Sequence, residues 1–396
     1  MGRAFLDCAS AAPLRPEVRA TIAEWLDLPQ ADPGRGYEEA LVVRRAVEAA
    51  RDAVAALVAA TPRQVVFTSS ISESVNTAVA AALDRGGRVL VAPVERSSVL
   101  EAAAKHGELV GLEVDGDGRL TPAALAAALE AGPAALVCLQ LANHETGTLL
   151  DVAPLVDAAH RAGAAVHVDA SVAVGHVPLD VQAIGAEYTT LCAEGLGAPA
   201  GTGALVVRRG LRLVPLLVGG DQERARRAGV ENVVGILALG AAAQVLGEGA
   251  GALLAAEAEA QRGLIARLEA GAVELDGVRP VGDPSPLGRV PHVRCFVVEG
   301  VEAEPVLLGL DRHGVSVHSG SACSSESLER SEVLQAMGVD EDHSLRVSVG
   351  WATTPDEVDA FLVAFPKVLA ELRALRGRGA RRADAARAVL TRRAPC

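Results

Sequence analysis

Four short stretches of this 396-residue chain gather side chains that could do chemistry. In FTSSISESVN, residues 67–76, an apolar run passes through hydroxyl-rich turns into a helical pattern. Free backbone N–H groups and the helix dipole would suit an anion there, with Ser72 adding a hydroxyl. Equally, Ser69, Ser70 and Ser72 would do no more than cap the helix. In LANHETGT, residues 141–148, Asn143, His144 and Glu145 follow an apolar run, at the end where parallel sheets place their ligands. In VHVDAS, residues 166–171, Asp169 closes another such run. A carboxylate there calls for a protonated ring nitrogen, a metal or a helix N-terminus, unless it is purely structural. In SGSACSSES, residues 319–327, Cys323 lies among small residues, as suits a thiol nucleophile that swings between a donor and an acceptor. Cys138 and Cys295, flanked by apolar strand residues, read instead as core cysteines. Arg346, in SLRVSVG, is a cation suited to a carboxylate.

These residues need a frame. Val43, Val47, Val54, Leu57 and Val58 recur at helical spacing, so residues 39–59 form an amphipathic helix. Apolar runs of strand length then alternate with Ala/Leu-rich helical stretches: QVVFTS, RVLVAPV, ELVGLEV, AALVCLQLA, AAVHVDA and GALVVRRG. Their unbroken hydrophobicity predicts strands buried on both faces, in a mostly parallel sheet covered by helices. A long helical region over 233–272 leads to HVRCFVVEG, GVSVHSGS and SLRVSVG, a smaller α/β unit. The predicted division is a large domain over 15–255, a small one from 1–14 and 256–370, and an Arg-rich helical or flexible tail over 371–396.

Half the residues are hydrophobic and only 2% aromatic, so the core must pack many small side chains. A net charge of −13 argues against a nucleic-acid-binding surface. With no signal peptide, no unbroken apolar run of about 18 residues and no CxxC or disulfide spacing among six cysteines, a reducing cytoplasm and no membrane are expected. No metal site is expected either. Lysine is almost absent: Lys105 and Lys367 stand against 35 arginines, a bias spread along the whole chain.

Together, in this order and at these spacings, the stretches resemble the cysteine desulfurases of the class V aminotransferase family, from LDCASAAPL at 6–14 to about residue 370. QERARRAGVENVVGI at 222–236 and GAPAGTGALVVRRG at 197–210 belong to the same pattern. The resemblance implies a fold-type-I pyridoxal-phosphate architecture, a large domain with a mostly parallel sheet plus a smaller C-terminal α/β domain. It also implies a homodimer with interfacial active sites. It assigns Ser72, His144 and Asp169 to the cofactor, Asn76 and Arg346 to the substrate, and Cys323 to a persulfide.

The pattern breaks around the cofactor. The family's Ser-x-His-Lys segment reads CAEG, so the Schiff-base lysine becomes Gly195, the preceding histidine Glu194 and the serine Cys192. The ring-stacking histidine becomes Arg96, the glutamine after the aspartate Val172, and the hydroxyl that crosses the dimer to the phosphate Val230. A glycine of the phosphate turn becomes Ser70, and the substrate loop becomes DPGRGY, with Asp32 and Tyr37 at altered positions. Each lost charge-assisted bond removes about 1.5–3 kcal/mol, so three would lower cofactor affinity by several orders of magnitude. The expected protein has lost pyridoxal chemistry. It acts as a partner or sulfur-relay subunit through Cys323, in a homodimer or a heterodimer with an intact paralogue, beside a sulfur donor or acceptor protein. No covalent cofactor is expected; pyridoxal or pyridoxamine phosphate held non-covalently is the alternative. An enzyme with a repurposed pocket, built on Arg96, Glu194, His144, Asp169 and Tyr37, and an active cysteine desulfurase are the other readings.

Overall fold

β-Branched strands with no polar interruption are stable when both faces are covered, and the chain arranges that cover for its apolar runs except the one in ELVGLEV. The strand of that run, Glu108–Gly111, lies at the sheet edge and is largely exposed. The computed structural model describes residues 2–28, 30–320 and 331–391, apart from the side chains of 341 and 377–391. Cys323 and the stretch from 321 to 330 lie outside the described residues. In chain order the strands among them are β1 (Ala4–Phe5), β2 (Val65–Thr68), β3 (Arg88–Val91), β4 (Glu108–Gly111), β5 (Leu136–Gln140) and β6 (Ala165–Asp169). There follow β7 (Tyr188–Cys192), β8 (Gly203–Val207), β9 (Val278–Val281), β10 (Val293–Val298), β11 (Val315–Ser316) and β12 (Ser344–Ser348).

Seven strands make one sheet in the order β2-β8-β7-β6-β5-β3-β4, in which β8 alone runs against the rest. Alternate residues of β5 supply opposite layers. Leu136 and Cys138 pack with Val75 and Val79 of the helix Ile71–Ala82, while Val137 and Leu139 pack with Leu125 and Leu155 beyond the other face. Near β2 and β8 a third cluster joins Phe67, Leu191 and Val206 to the helices Glu38–Leu57 and Val233–Ala272. Strand β7 was not foreseen, because Thr189 and Thr190 interrupt its apolar run; both are buried, and Thr190 Oγ1 bonds the ring of His167 on β6 at 2.9 Å.

The helix Val233–Ala272 has the length and composition of a membrane span, yet it breaks at Glu248–Gly251, and half of its most apolar stretch is buried. Up to Leu254 it packs in the core beside the large sheet. From Ile265 onward it packs with Phe296, Phe361 and Phe365 against the antiparallel sheet β12-β10-β9. The short parallel pair β1–β11 returns the N-terminus to this second core. A helix from Pro355 to Thr391 ends the described chain.

Candidate functional site

Apart from β8, the strands of the large sheet all point the same way, so the turns that leave β2, β3, β5, β6 and β7 meet along one edge. Those turns carry Ser69–Ser72, Glu95–Arg96, Asn143–Glu145, Asp169–Ser171 and Glu194–Gly195.

Asp169, at the end of β6, is 3% exposed. Its Oδ1 accepts the Ser171 N–H at 2.8 Å, and its Oδ2 lies 3.3 Å from Nε of Arg96. Arg96 occupies the N-cap position of the helix Ser97–His106. The adjoining Glu95 is buried, and one of its carboxyl oxygens has no partner. Burial, reinforced by Asp169, raises its pKa to about 8, so this carboxyl is largely protonated at neutral pH. Sequence reading overlooked Glu95, for which charge beside a buried strand end was the available signal.

Asn143 builds the turn after β5. Its Oδ1 accepts the N–H groups of Glu145 and Thr146 at 2.9 and 2.8 Å, and its Nδ2 donates to Val94 O at 3.2 Å, tying this turn to the one that carries Glu95. His144 is buried, and burial plus the cations of Arg96 and Arg346 hold its imidazole well below the usual range, hence neutral. Glu145 accepts from Ser331 Oγ at 2.6 Å, and burial moves its pKa up to about 7. Arg346, on β12, donates to His144 O at 2.9 Å, to Asp7 Oδ1 at 2.9 Å and to Ser10 Oγ at 2.7 Å. It thus clasps the two cores together and spends much of its charge on the chain's own Asp7.

At the start of the helix Ile71–Ala82 the capping geometry is present. Ser70 Oγ accepts the Glu73 N–H at 3.2 Å, and the Glu73 carboxylate accepts the Ser69 N–H at 2.8 Å. Burial raises the Glu73 pKa, but Arg227, 2.9 Å away, and the Ser69 bonds outweigh it, and the net shift is downward. The Ser-x-x-Glu spacing from Ser70 was a legible capping signal. Ser72 is exposed, and its carbonyl accepts from Asn76 Nδ2 at 2.9 Å, one turn along.

Gly195 follows β7 and has no left-handed backbone requirement. A Cβ built on it would meet Cys192 Sγ at 3.5 Å and His176 Nε2 and Ser171 O at 3.8 Å, ordinary contacts. Cys192 donates to Ser171 O at 3.1 Å, and burial then Glu194 push its thiol up to about 12. One oxygen of the Glu194 carboxylate is buried without a partner. Val172 packs in the apolar cluster of Ala142, Ala173, Val290 and Val293, whereas Val230 is 76% exposed on the surface. Asp32 and Tyr37 are not brought to this edge. Asp32 lines a separate charged cleft of about 630 Å³ with Glu48, Arg51, Glu223 and Glu231, and Tyr37 is exposed at the helix start beside it. Cys8, Cys138, Cys192 and Cys295 are all buried. Among the described residues no three His, Cys, Asp or Glu side chains are grouped to hold a metal.

Residues 4–361 match the family described as Aminotransferase class-V. The chain is 37% identical over 394 residues to a cysteine desulfurase of Cereibacter sphaeroides, covering 96% of this chain and 99% of that one. It is 33% identical to the cysteine desulfurase IscS of Methanosarcina thermophila, over 93% and 92% of the two chains. In structure it is similar to a NifS-like protein from Rickettsia africae (TM-score 0.85, 24% identity, 93% of this chain and 99% of that one). It is likewise similar to an apo cysteine desulfurase from Thermococcus onnurineus (TM-score 0.83, 23% identity, 93% and 95%). The architecture is that of the fold-type-I pyridoxal-phosphate enzymes, an α/β fold with a mostly parallel seven-stranded sheet and a smaller C-terminal α/β part.

Proposed function

Since the chain belongs to the class-V aminotransferase family, as a homologue of the cysteine desulfurases, we propose that it has left pyridoxal chemistry and serves as a partner or sulfur-relay subunit. The observation that carries this reading is the absence of an amine at the sheet edge. Position 195 is glycine, and the chain's two lysines are both exposed elsewhere. Lys105 lies in the last turn of the helix that Arg96 starts, nine residues and so roughly 13 Å along its axis. Lys367 sits on the helix Pro355–Thr391, in the second core's cover.

The remaining side chains do not fit a tethered pyridoxal phosphate. Asp169, the partner for a ring nitrogen, already has a cation, and a carboxylate already takes the Ser69 amide in the turn that would hold the phosphate. A second carboxylate, Glu194, with a buried unpaired oxygen, adds repulsion toward a dianion. The protein therefore works without the cofactor its relatives use, in the cytoplasm, as a homodimer or paired with an intact paralogue.

The thiol proposed for the relay is Cys323. The four described cysteines are buried, and Cys8, Cys192 and Cys295 have pKa values pushed to about 12, too high for thiolate chemistry at neutral pH. Of the remaining two, Cys323 and Cys396, the family resemblance puts the persulfide on Cys323. Transfer moves the outer sulfur of a donor persulfide onto Cys323 and returns the donor as a thiol, with no net oxidation. Incubation with an active cysteine desulfurase and cysteine is expected to add one sulfur atom to Cys323, read by mass spectrometry, and Cys323→Ser to abolish it. The names of the relatives favour a second reading, a desulfurase active by itself. Sulfide and alanine release from cysteine by the purified protein alone would establish that reading and overturn ours.

A further inference from the structure

Asp169 is deeply buried, and a carboxylate in that position is costly unless a positive partner or several hydrogen bonds meet it. Both of its oxygens are engaged within the chain: Oδ1 by the Ser171 amide at 2.8 Å, Oδ2 by Arg96 Nε at 3.3 Å. The guanidinium comes from the turn after β3, at the position where the family resemblance puts a ring-stacking histidine. We propose that Arg96 is a built-in substitute for the cofactor's ring cation, a side chain that neutralises Asp169 from within and must be displaced before any pyridoxal ring can pair with it. This rests on the reading that the protein forms no lysine tether, and it adds that refilling the tether alone would not restore the site.

Three features of the pocket support it. First, the obstacle at Gly195 is not steric: a Cβ there makes only ordinary contacts, at 3.5 Å and beyond. Second, the guanidinium of Arg96 meets the Asp169 carboxylate directly at 3.3 Å, while the adjoining Glu95, largely protonated, and the neutral His144 offer it no competing charge. Third, a ligand that brings a pyridinium to Asp169 would place that cation beside the guanidinium, and repulsion between them in a buried site is strong. The pocket is thus charge-complementary to itself.

The test uses the full chain, pyridoxal phosphate as the probe, and four proteins: wild type, Arg96→His, Gly195→Lys and the double variant. Binding is read by absorbance titration and by mass spectrometry after borohydride reduction. Gly195→Lys alone is expected to bind weakly. The double variant is expected to bind more tightly by roughly ten- to a hundredfold, the effect of regaining one charge-assisted bond. Thermal melts without the probe give an independent readout. Arg96→Gln and Asp169→Asn should each lower the melting temperature, and together by clearly less than the sum. Equal affinity for Gly195→Lys and the double variant, or additive melts, would overturn the role of Arg96 while leaving the missing tether intact. A reduced pyridoxyl adduct on the wild-type chain would instead overturn the underlying reading.

Discussion

Two carboxyl groups, those of Glu95 and Asp169, lie beside one guanidinium at the sheet edge and differ in their partners. Asp169 has a backbone amide and Arg96 on its two oxygens, whereas Glu95 keeps one oxygen buried and unpaired. Because burial raises the folded-state pKa of Glu95 to about 8, its stabilising contribution is complete below its unfolded value and is lost as pH rises through about 8. Glu95→Gln removes that titration. The variant should melt near the wild-type temperature at pH 4, and above it by a margin that widens from about pH 4.5 to 8 and stays wide at pH 9, measured by differential scanning calorimetry. A wild-type advantage at pH 9 would mean that the ionised Glu95 has a partner and a function in that state.

At the scale of elements, small residues set the spacing of the helices that cover the sheet. The helices Glu38–Leu57 and Val233–Ala272 approach so closely at Gly240 that a Cβ there would lie 2.4 Å from the Ala50 Cβ and 2.6 Å from its Cα. Gly240→Ala should destabilise by about 1–3 kcal/mol through overpacking, seen as a lower denaturation midpoint with an unchanged slope. Ala50→Gly should restore only part, since the Ala50 backbone remains in the way. This close packing suits a chain with so few aromatics, and it was foreseeable from composition, as were the strands whose apolar runs are unbroken. Strand β7 was hidden by its two threonines, whose hydroxyls are satisfied only by tertiary partners such as His167. The placement of Asp169 and His144 at strand ends was likewise readable, because parallel strands fix which end faces the ligand edge. The pairing of Arg96 with Asp169 was not, because it depends on how two turns 73 residues apart in sequence face each other across the sheet.

For the whole molecule, buried histidines join the two cores and set the response to acid. His176, beyond β6, stacks on His292, just before β10, with ring centroids 3.5 Å apart, and its Nδ1 lies 3.2 Å from Gln261 Oε1 on the long helix. Burial lowers the pKa of His176 and His167 to about 4 and holds His144 and His292 well below the usual range. The unfolded chain accepts protons on these four rings as pH falls below about 6.5, while the native state refuses them. Their contribution is therefore complete above that pH and declines toward pH 4. Glu95 and Glu145, with folded values of about 8 and 7, act in the opposite sense, losing stability as pH rises above the usual carboxylate range. Between about pH 4.5 and 6.5 these rings, with His318 shifted the same way, outnumber the two carboxyls, so stability rises with pH across that window. Of these groups only the carboxyls still titrate above 6.5, and the slope reverses. Melting temperature should thus peak near pH 6.5 and fall on both sides. Replacing the stacked pair by His176→Gln and His292→Phe should flatten the acid limb relative to wild type. An unchanged acid limb in that variant would assign acid sensitivity to the surface carboxylates instead, and so separate the junction between the two cores from the charge of the molecule as a whole.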